Sequence, residues 1–140
     1  MTAHTHIVQY YETDKMGITH HSNYIRWMEE ARCTFLDSIG FGYDKLEESG
    51  IASPVIAVNC TYHIPTTFHD VIEIHVKISS FTGVRLIVSY EMIRQCDGAT
   101  VATGESQHCF LNSQNRPISL KKYQPTLYAV LYRLADEHKN

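Results

Sequence analysis

The apolar and polar positions of this chain follow two periods, one after the other. From Asn23 onward, Tyr24, Met28, Ala31, Phe35 and Ile39 recur at steps of three and four, and Ile25 and Leu36 widen the stripe. That spacing predicts a helix over 23–39, about 25 Å long at ~1.5 Å per residue. Ser22 or Asn23 can cap its start, and Gly40 and Gly42 suit its exit. Residues 7–11 predict a short first strand, and 43–49 a short second helix. After Gly50 the period falls to two. Residues 51–64 are rich in β-branched side chains between Pro54 and Pro65. Over 71–81, Ile72, Ile74, Val76 and Ile78 interleave with Glu73, His75, Lys77 and Ser79. Further strands are predicted over 84–94 and 101–111, with turns at Thr82-Gly83, Asp97-Gly98 and 115–117. Pro125 opens a last helix through Leu127, Val130, Leu131 and Leu134.

Hairpin connections imply antiparallel pairing among the four later strands. A sheet with one apolar face needs a cover, and the long early helix supplies it. The expected class is therefore α+β, an antiparallel sheet wrapped around one long central helix. At 140 residues a single domain over 1–140 is expected, large enough for a sizeable core.

Composition narrows the function. A net charge of −3 gives no support for nucleic acid as the main partner. No segment has the apolar length to span a bilayer. The start, MTAHTHIVQYYETD, lacks the apolar core of a signal peptide, so a cytoplasmic protein is expected. Cys33, Cys60, Cys96 and Cys109 form no C-x-x-C pair; buried thiols are expected, rather than a zinc knuckle, redox dithiol or disulfide framework.

The segment YYETDKMGITHHSNYIRWMEEAR, residues 10–32, concentrates the chemistry. Asp14 lies in a turn with Gly17, and the polar run His20-His21-Ser22-Asn23 leads into the predicted helix. The first N–H groups of a helix lack partners within it, and the dipole is positive at that end. Such an end can hold a carbonyl oxygen as it becomes negative. A carboxylate facing it can attack the carbonyl carbon or activate water.

Tyr11, Thr13, Asp14, Gly17, Ile18, His21, Asn23 and Tyr24, followed by Glu29, Ala31 and Arg32, together resemble a known signature. It is that of hotdog-fold acyl-CoA thioesterases, in particular the 4-hydroxybenzoyl-CoA thioesterase type and its relatives associated with the Tol–Pal gene cluster. The later strand order and the stretch GESQHCFLNSQNRPISL fit as well, so the resemblance covers most of the chain. It implies hydrolysis of an acyl-CoA thioester to free acid and coenzyme A, with no cofactor and no metal. Asp14 would be catalytic, as nucleophile or base. The His21 backbone N–H would polarise the carbonyl, and Gly17 would shape the substrate loop. The resemblance also implies a site at a subunit interface, in a homodimer at least and more readily a homotetramer. His21-Ser22 replaces the tyrosine and proline that aromatic-substrate members can carry, which leaves the acyl group open. Within the same resemblance an acyl-ACP thioesterase and a non-catalytic acyl-CoA-binding hotdog protein are the alternatives.

The remaining candidates have plain readings. Asn23 and Tyr24, counted with Gly17 as substrate-binding, are also a helix cap and a core anchor. Glu29 is expected to pair with Arg26 or Arg32 along the helix. His4 and His6 are expected to be solvated, and Ser106 and His108 lack a nucleophile elbow. Arg85, Arg94, Arg116, Lys121 and Lys122 are candidates for the coenzyme phosphates.

Overall fold

The computed structural model describes residues 3–137. Its elements are β1 (His4–Ile7), a 3-10 turn (Tyr10–Glu12), α1 (Ser22–Ser38), α2 (Tyr43–Glu48), β2 (Val55–Tyr62), β3 (Val71–Phe81), β4 (Arg85–Arg94), β5 (Thr100–Cys109), α3 (Leu120–Tyr123) and α4 (Pro125–Glu137). The strands form one five-stranded sheet in the order β1-β3-β4-β5-β2. The architecture is the expected α+β, with an antiparallel sheet. β1 pairs with β3 from His4↔Ile74 to Ile7↔Val71. The tight turn closed by Thr82 N–H to Arg85 O joins β3 to β4, and Arg94 N–H to Ala99 O closes the next.

Two compact units divide the chain. The first contains the N-terminal segment through Phe35, Cys60–Val76 and Tyr90–Gly104. Its interior takes one face of α1 (Tyr24, Trp27, Met28, Ala31) together with Val8, Ile72, Ile74, Met92 and Val101. Each large side chain buried this way contributes about 1.5–3 kcal/mol. The period-two pattern of β3 explains its share: Ile72 and Ile74 are wholly buried, while His75 between its apolar positions stays exposed. The second unit holds Leu36–Asn59, Lys77–Ser89 and the chain from Glu105 onward. There α4 buries Leu127, Leu131 and Ala135, and Phe81 meets Phe110 edge-on with ring centroids 6.3 Å apart.

Three expectations are corrected. The first strand ends at Ile7 rather than Tyr11. The ladder stops where Val8 exchanges backbone bonds with Asp70 and His69, and the Glu12 carboxylate then draws the chain into a turn by accepting the Gln9 N–H. The helix begins at Ser22, and neither Ser22 nor Asn23 caps it in the expected way. The Asn23 amide donates to the Glu12 and His20 carbonyls, and Ser22 Oγ bonds His20 Nδ1. The short α3, which the apolar pattern does not mark, precedes α4.

β2 lies at one end of the strand order and is exposed along nearly its whole length. Val55, Ile56, Val58 and Tyr62 each leave close to half of their surface open, from 45% to 46%.

Candidate active site

Residues 12–20 fold into a miniature hairpin, and it belongs wholly to the first unit. His20 N–H donates to Glu12 O, Thr13 bridges Thr19, and Asp14 N–H donates to Ile18 O at 2.8 Å. At the tip Gly17 N–H closes back on Asp14 O, with φ at +80°. Few side-chain-bearing residues adopt that angle without strain. Asp14 Oδ1 accepts the Met16 N–H at 2.8 Å, so the carboxylate is fixed by its own turn. Oδ2 has no hydrogen-bond partner among the described residues.

Glu12 anchors this hairpin. Only 5% of its surface is exposed. Its carboxylate accepts the Gln9 N–H, the Trp27 indole N–H and His6 Nε2, each at 2.8 Å. Burial pushes this carboxyl up, but the bonds from His6, Gln9 and Trp27 together outweigh it and hold the group below the ordinary glutamate range. The backbone carbonyl of the same residue takes His20 N–H and the Asn23 amide. One residue thus ties β1, the turn and α1 to a single point. It carries no periodic or motif signal of its own. The only hint in the sequence is a glutamate three residues after Gln9, a spacing that suits a turn.

The first N–H groups of α1 face a different problem. Ser22 N–H goes to His20 Nδ1, Asn23 N–H to His20 O, and Tyr24 N–H to His21 O. The His21 N–H donates to no group among the described residues. The His21 carbonyl is held instead by the Tyr62 hydroxyl at 3.1 Å. Tyr24 is 3% exposed, and its hydroxyl bonds Thr66 Oγ1, which bonds Thr19 in turn. Burial pushes the phenols of Tyr24 and Tyr62 up, so both are neutral donors at physiological pH.

Two clefts open beside this frame. One, of about 390 Å³, is lined by Asp14 and His21 together with apolar surface from Ile18, Tyr24, Tyr62 and Ile64. The other, of about 680 Å³, shares Asp14 and is polar, with Lys15, His20, Asn23 and Arg26 on its walls. Asp14, His21 and Tyr24 therefore meet in one cleft, as expected of site residues. Gly17 shapes the hairpin tip without lining either cleft. Asn23 is buried and reaches only the second. Tyr62 lies on the edge strand, far from the motif in sequence, and sequence reasoning missed it.

Other expectations fare differently. Glu29 forms no ion pair with Arg26 among the described residues, and Arg32 donates to the Tyr90 hydroxyl at 3.1 Å. His4 and His6 are not solvated. Both bond Glu30 Oε1 at 3.2 Å, and His6 also reaches Glu12. Ser106 Oγ and His108 Nε2 are 2.8 Å apart, but both are buried at 1% or less and line neither of these two clefts. Arg94 is engaged by both oxygens of Asp97, and none of the five expected phosphate candidates lines either cleft. Lys15 and Arg26 line the second cleft instead, each without an ion-pair partner among the described residues.

An aspartate and a helix-start residue with an N–H unpartnered among the described residues, both lining one cleft, suit acyl transfer. The family model described as thioesterase-like superfamily matches residues 8–133. The chain belongs to the thioesterase-like superfamily. It is accordingly an enzyme, a thioester hydrolase. Among its relatives in this superfamily, YneP of Bacillus subtilis (strain 168), named as a candidate acyl-CoA thioesterase, is 30% identical over 118 residues, 84% of this chain and 86% of its own. The acyl-CoA thioester hydrolase YbgC of Escherichia coli O157:H7 is 28% identical over 86 residues, 61% of this chain and 64% of its own. The crystal structure of the DHNA-CoA thioesterase from Staphylococcus aureus matches with a TM-score of 0.90 at 28% identity, covering 99% of this chain and 95% of that one. The structural likeness agrees with a hotdog-type fold for this thioesterase-like chain.

Proposed function

We propose that this chain hydrolyses acyl-CoA thioesters to a free carboxylic acid and coenzyme A. The observation that carries the reading is that Asp14 and His21, whose N–H has no partner among the described residues, line one cleft at the start of α1. With Asp14 as general base, it takes a proton from water as the oxygen adds to the thioester carbon. The carbonyl oxygen becomes negative and is held by the His21 N–H and the helix end. Collapse breaks the C–S bond, and the leaving thiolate recovers the proton from Asp14. With Asp14 as nucleophile, the same oxyanion forms on the way to a mixed anhydride, which water then opens. Both routes use Oδ2, since Oδ1 holds the Met16 N–H.

The apolar cleft of Ile18, Tyr24, Tyr62 and Ile64 suits the acyl group. The polar cleft suits the carrier arm, and Lys15 and Arg26 meet its anionic end. The motif residues and the YbgC kinship support the 4-hydroxybenzoyl and Tol–Pal-associated type within the superfamily. We treat residues 1–140 as a single hotdog domain, with α1 as its central helix and the superfamily match spanning most of it. The free cysteines suit a reducing cytoplasm. We take the working form as a homodimer at least, and a tetramer of two dimers as the fuller assembly, because β2 leaves apolar side chains open along a sheet edge.

The test is continuous release of coenzyme A thiol, followed with a chromogenic disulfide, across acyl-CoA esters of graded length and ring content. Turnover above the uncatalysed rate for at least one ester is expected. Binding without thiol release would favour a non-catalytic acyl-CoA-binding protein, and release from acyl-ACP alone would move the carrier to ACP.

A further inference from the structure

Glu12 stands outside the chemistry proposed above, yet a buried carboxylate with this set of contacts is costly to keep. Taking a charge from water costs several kcal/mol unless hydrogen bonds replace the hydration. Here three donors do so, and they come from three places: the His6 ring on β1, the Gln9 backbone at the start of the turn, and the Trp27 indole on α1. An apolar side chain could fill the same space without the charge. What it could not do is fix orientation, because three convergent donors at 2.8 Å leave the carboxylate one position. The next carbonyl along, that of Glu12 itself, accepts His20 N–H and the Asn23 amide. The two residues linked through these bonds to the proposed chemistry are Asp14, two positions after Glu12, and His21, the residue after His20.

We infer that Glu12 is a positioning residue: its buried carboxylate sets the Asp14 hairpin against the first turn of α1, so that the Asp14 carboxylate and the His21 N–H meet one thioester carbonyl. This inference rests on the proposed hydrolase reading and deepens it. The logic is geometric. Acyl transfer needs the attacking group and the oxyanion donor in a fixed relation, and a misplacement of about 1 Å can cost ~100-fold in rate. The hairpin's backbone bonds, Asp14 N–H to Ile18 O and His20 N–H to Glu12 O, hold Asp14 and His21 on one short segment, and what is left to fix is that segment against the body of α1. Glu12 joins them, through its side chain to Trp27 and through its carbonyl to His20 and Asn23.

Glu12→Gln keeps the shape of the side chain but turns one acceptor into a donor, which leaves an N–H of Trp27 or Gln9 facing an NH₂ group. The expected result is a folded protein whose kcat falls at least ~10-fold while KM for the acyl-CoA ester changes less than ~3-fold. The deciding measurement is a double-mutant cycle with Asp14→Asn. If Glu12 acts through Asp14, Glu12→Gln changes the residual rate of Asp14→Asn by less than ~2-fold. A carboxylate that serves folding alone would lower the unfolding midpoint and leave the kcat of the folded enzyme in place, and that result overturns the inference. So does a full ~10-fold loss in the Asp14→Asn background. Should Glu12→Gln not fold, Trp27→Phe removes one donor and leaves the charge; it should show a smaller kcat loss that likewise vanishes with Asp14→Asn, and persistence of the loss overturns the inference. Wild-type protein that releases no thiol from any ester fails the hydrolase reading itself, and the inference with it. An active wild type with an additive cycle fails the inference alone.

Discussion

Asp14 is a carboxylate with its two oxygens in different circumstances: Oδ1 closes a turn through Met16, and Oδ2 has no hydrogen-bond partner among the described residues. Replacement by Asn preserves the turn bond through its carbonyl and removes charge and basicity together. Asp14→Asn should therefore lower kcat by at least ~100-fold, with little change in the affinity of a non-hydrolysable acyl-CoA analogue measured by calorimetry. Near wild-type turnover in that variant would move the chemistry elsewhere. Glu12 gives a prediction of a different kind. Its carboxyl is held below the ordinary glutamate range in the folded protein, so the unfolded chain binds its proton more readily. The contribution to stability is then complete above the unfolded titration and is lost as pH falls through the folded one. Urea midpoints measured downward from pH 7 should drop on the acid side, and Glu12→Gln should lose part of that dependence while starting from a lower midpoint. An unchanged acid slope would show that Glu12 is not the linked group.

Among the elements, legibility followed periodicity. α1 shows itself in steps of three and four, and the helix observed, Ser22–Ser38, is shifted one residue from the one expected. β3 shows itself in strict alternation, and its bounds are those expected, Val71–Phe81. β1 was misplaced because Tyr10 and Tyr11 extend the strand-like pattern past Gln9, where Glu12 turns the chain. Asp14 and His21 were legible as candidates that share a cleft, because their spacing is local to one short motif. Glu12 and Tyr62 were not. The partners of Glu12 sit on β1 and α1, and Tyr62 reaches the His21 carbonyl from 41 positions away, so no window of sequence contains either relation. The Tyr62 bond also orients the peptide beside the open N–H. Tyr62→Phe removes the hydroxyl alone and should lower kcat a few-fold, on the scale of one partly exposed hydrogen bond of about 0.5–1.5 kcal/mol. Stopped-assay kinetics at saturating ester would read it, and an unchanged kcat would show that the carbonyl needs no second holder.

For the molecule as a whole, the telling feature is β2. A terminal strand with open backbone groups and apolar side chains on it invites pairing with another chain. Sedimentation at micromolar concentration should give a species of at least twice the 16.1 kDa chain mass. Val58→Lys, which places a charge on that strand, should shift it toward the single chain, and wild type sedimenting as one chain would defeat the assembly. Tyr62 gives this a further meaning, because the strand that would be covered by a second copy is the strand whose last residue holds the helix start. A second copy that settles β2 also settles Tyr62. Specific activity should then depend on how dilute the enzyme is: turnover per chain stays level while copies remain joined and declines, with a lag on redilution, once they part.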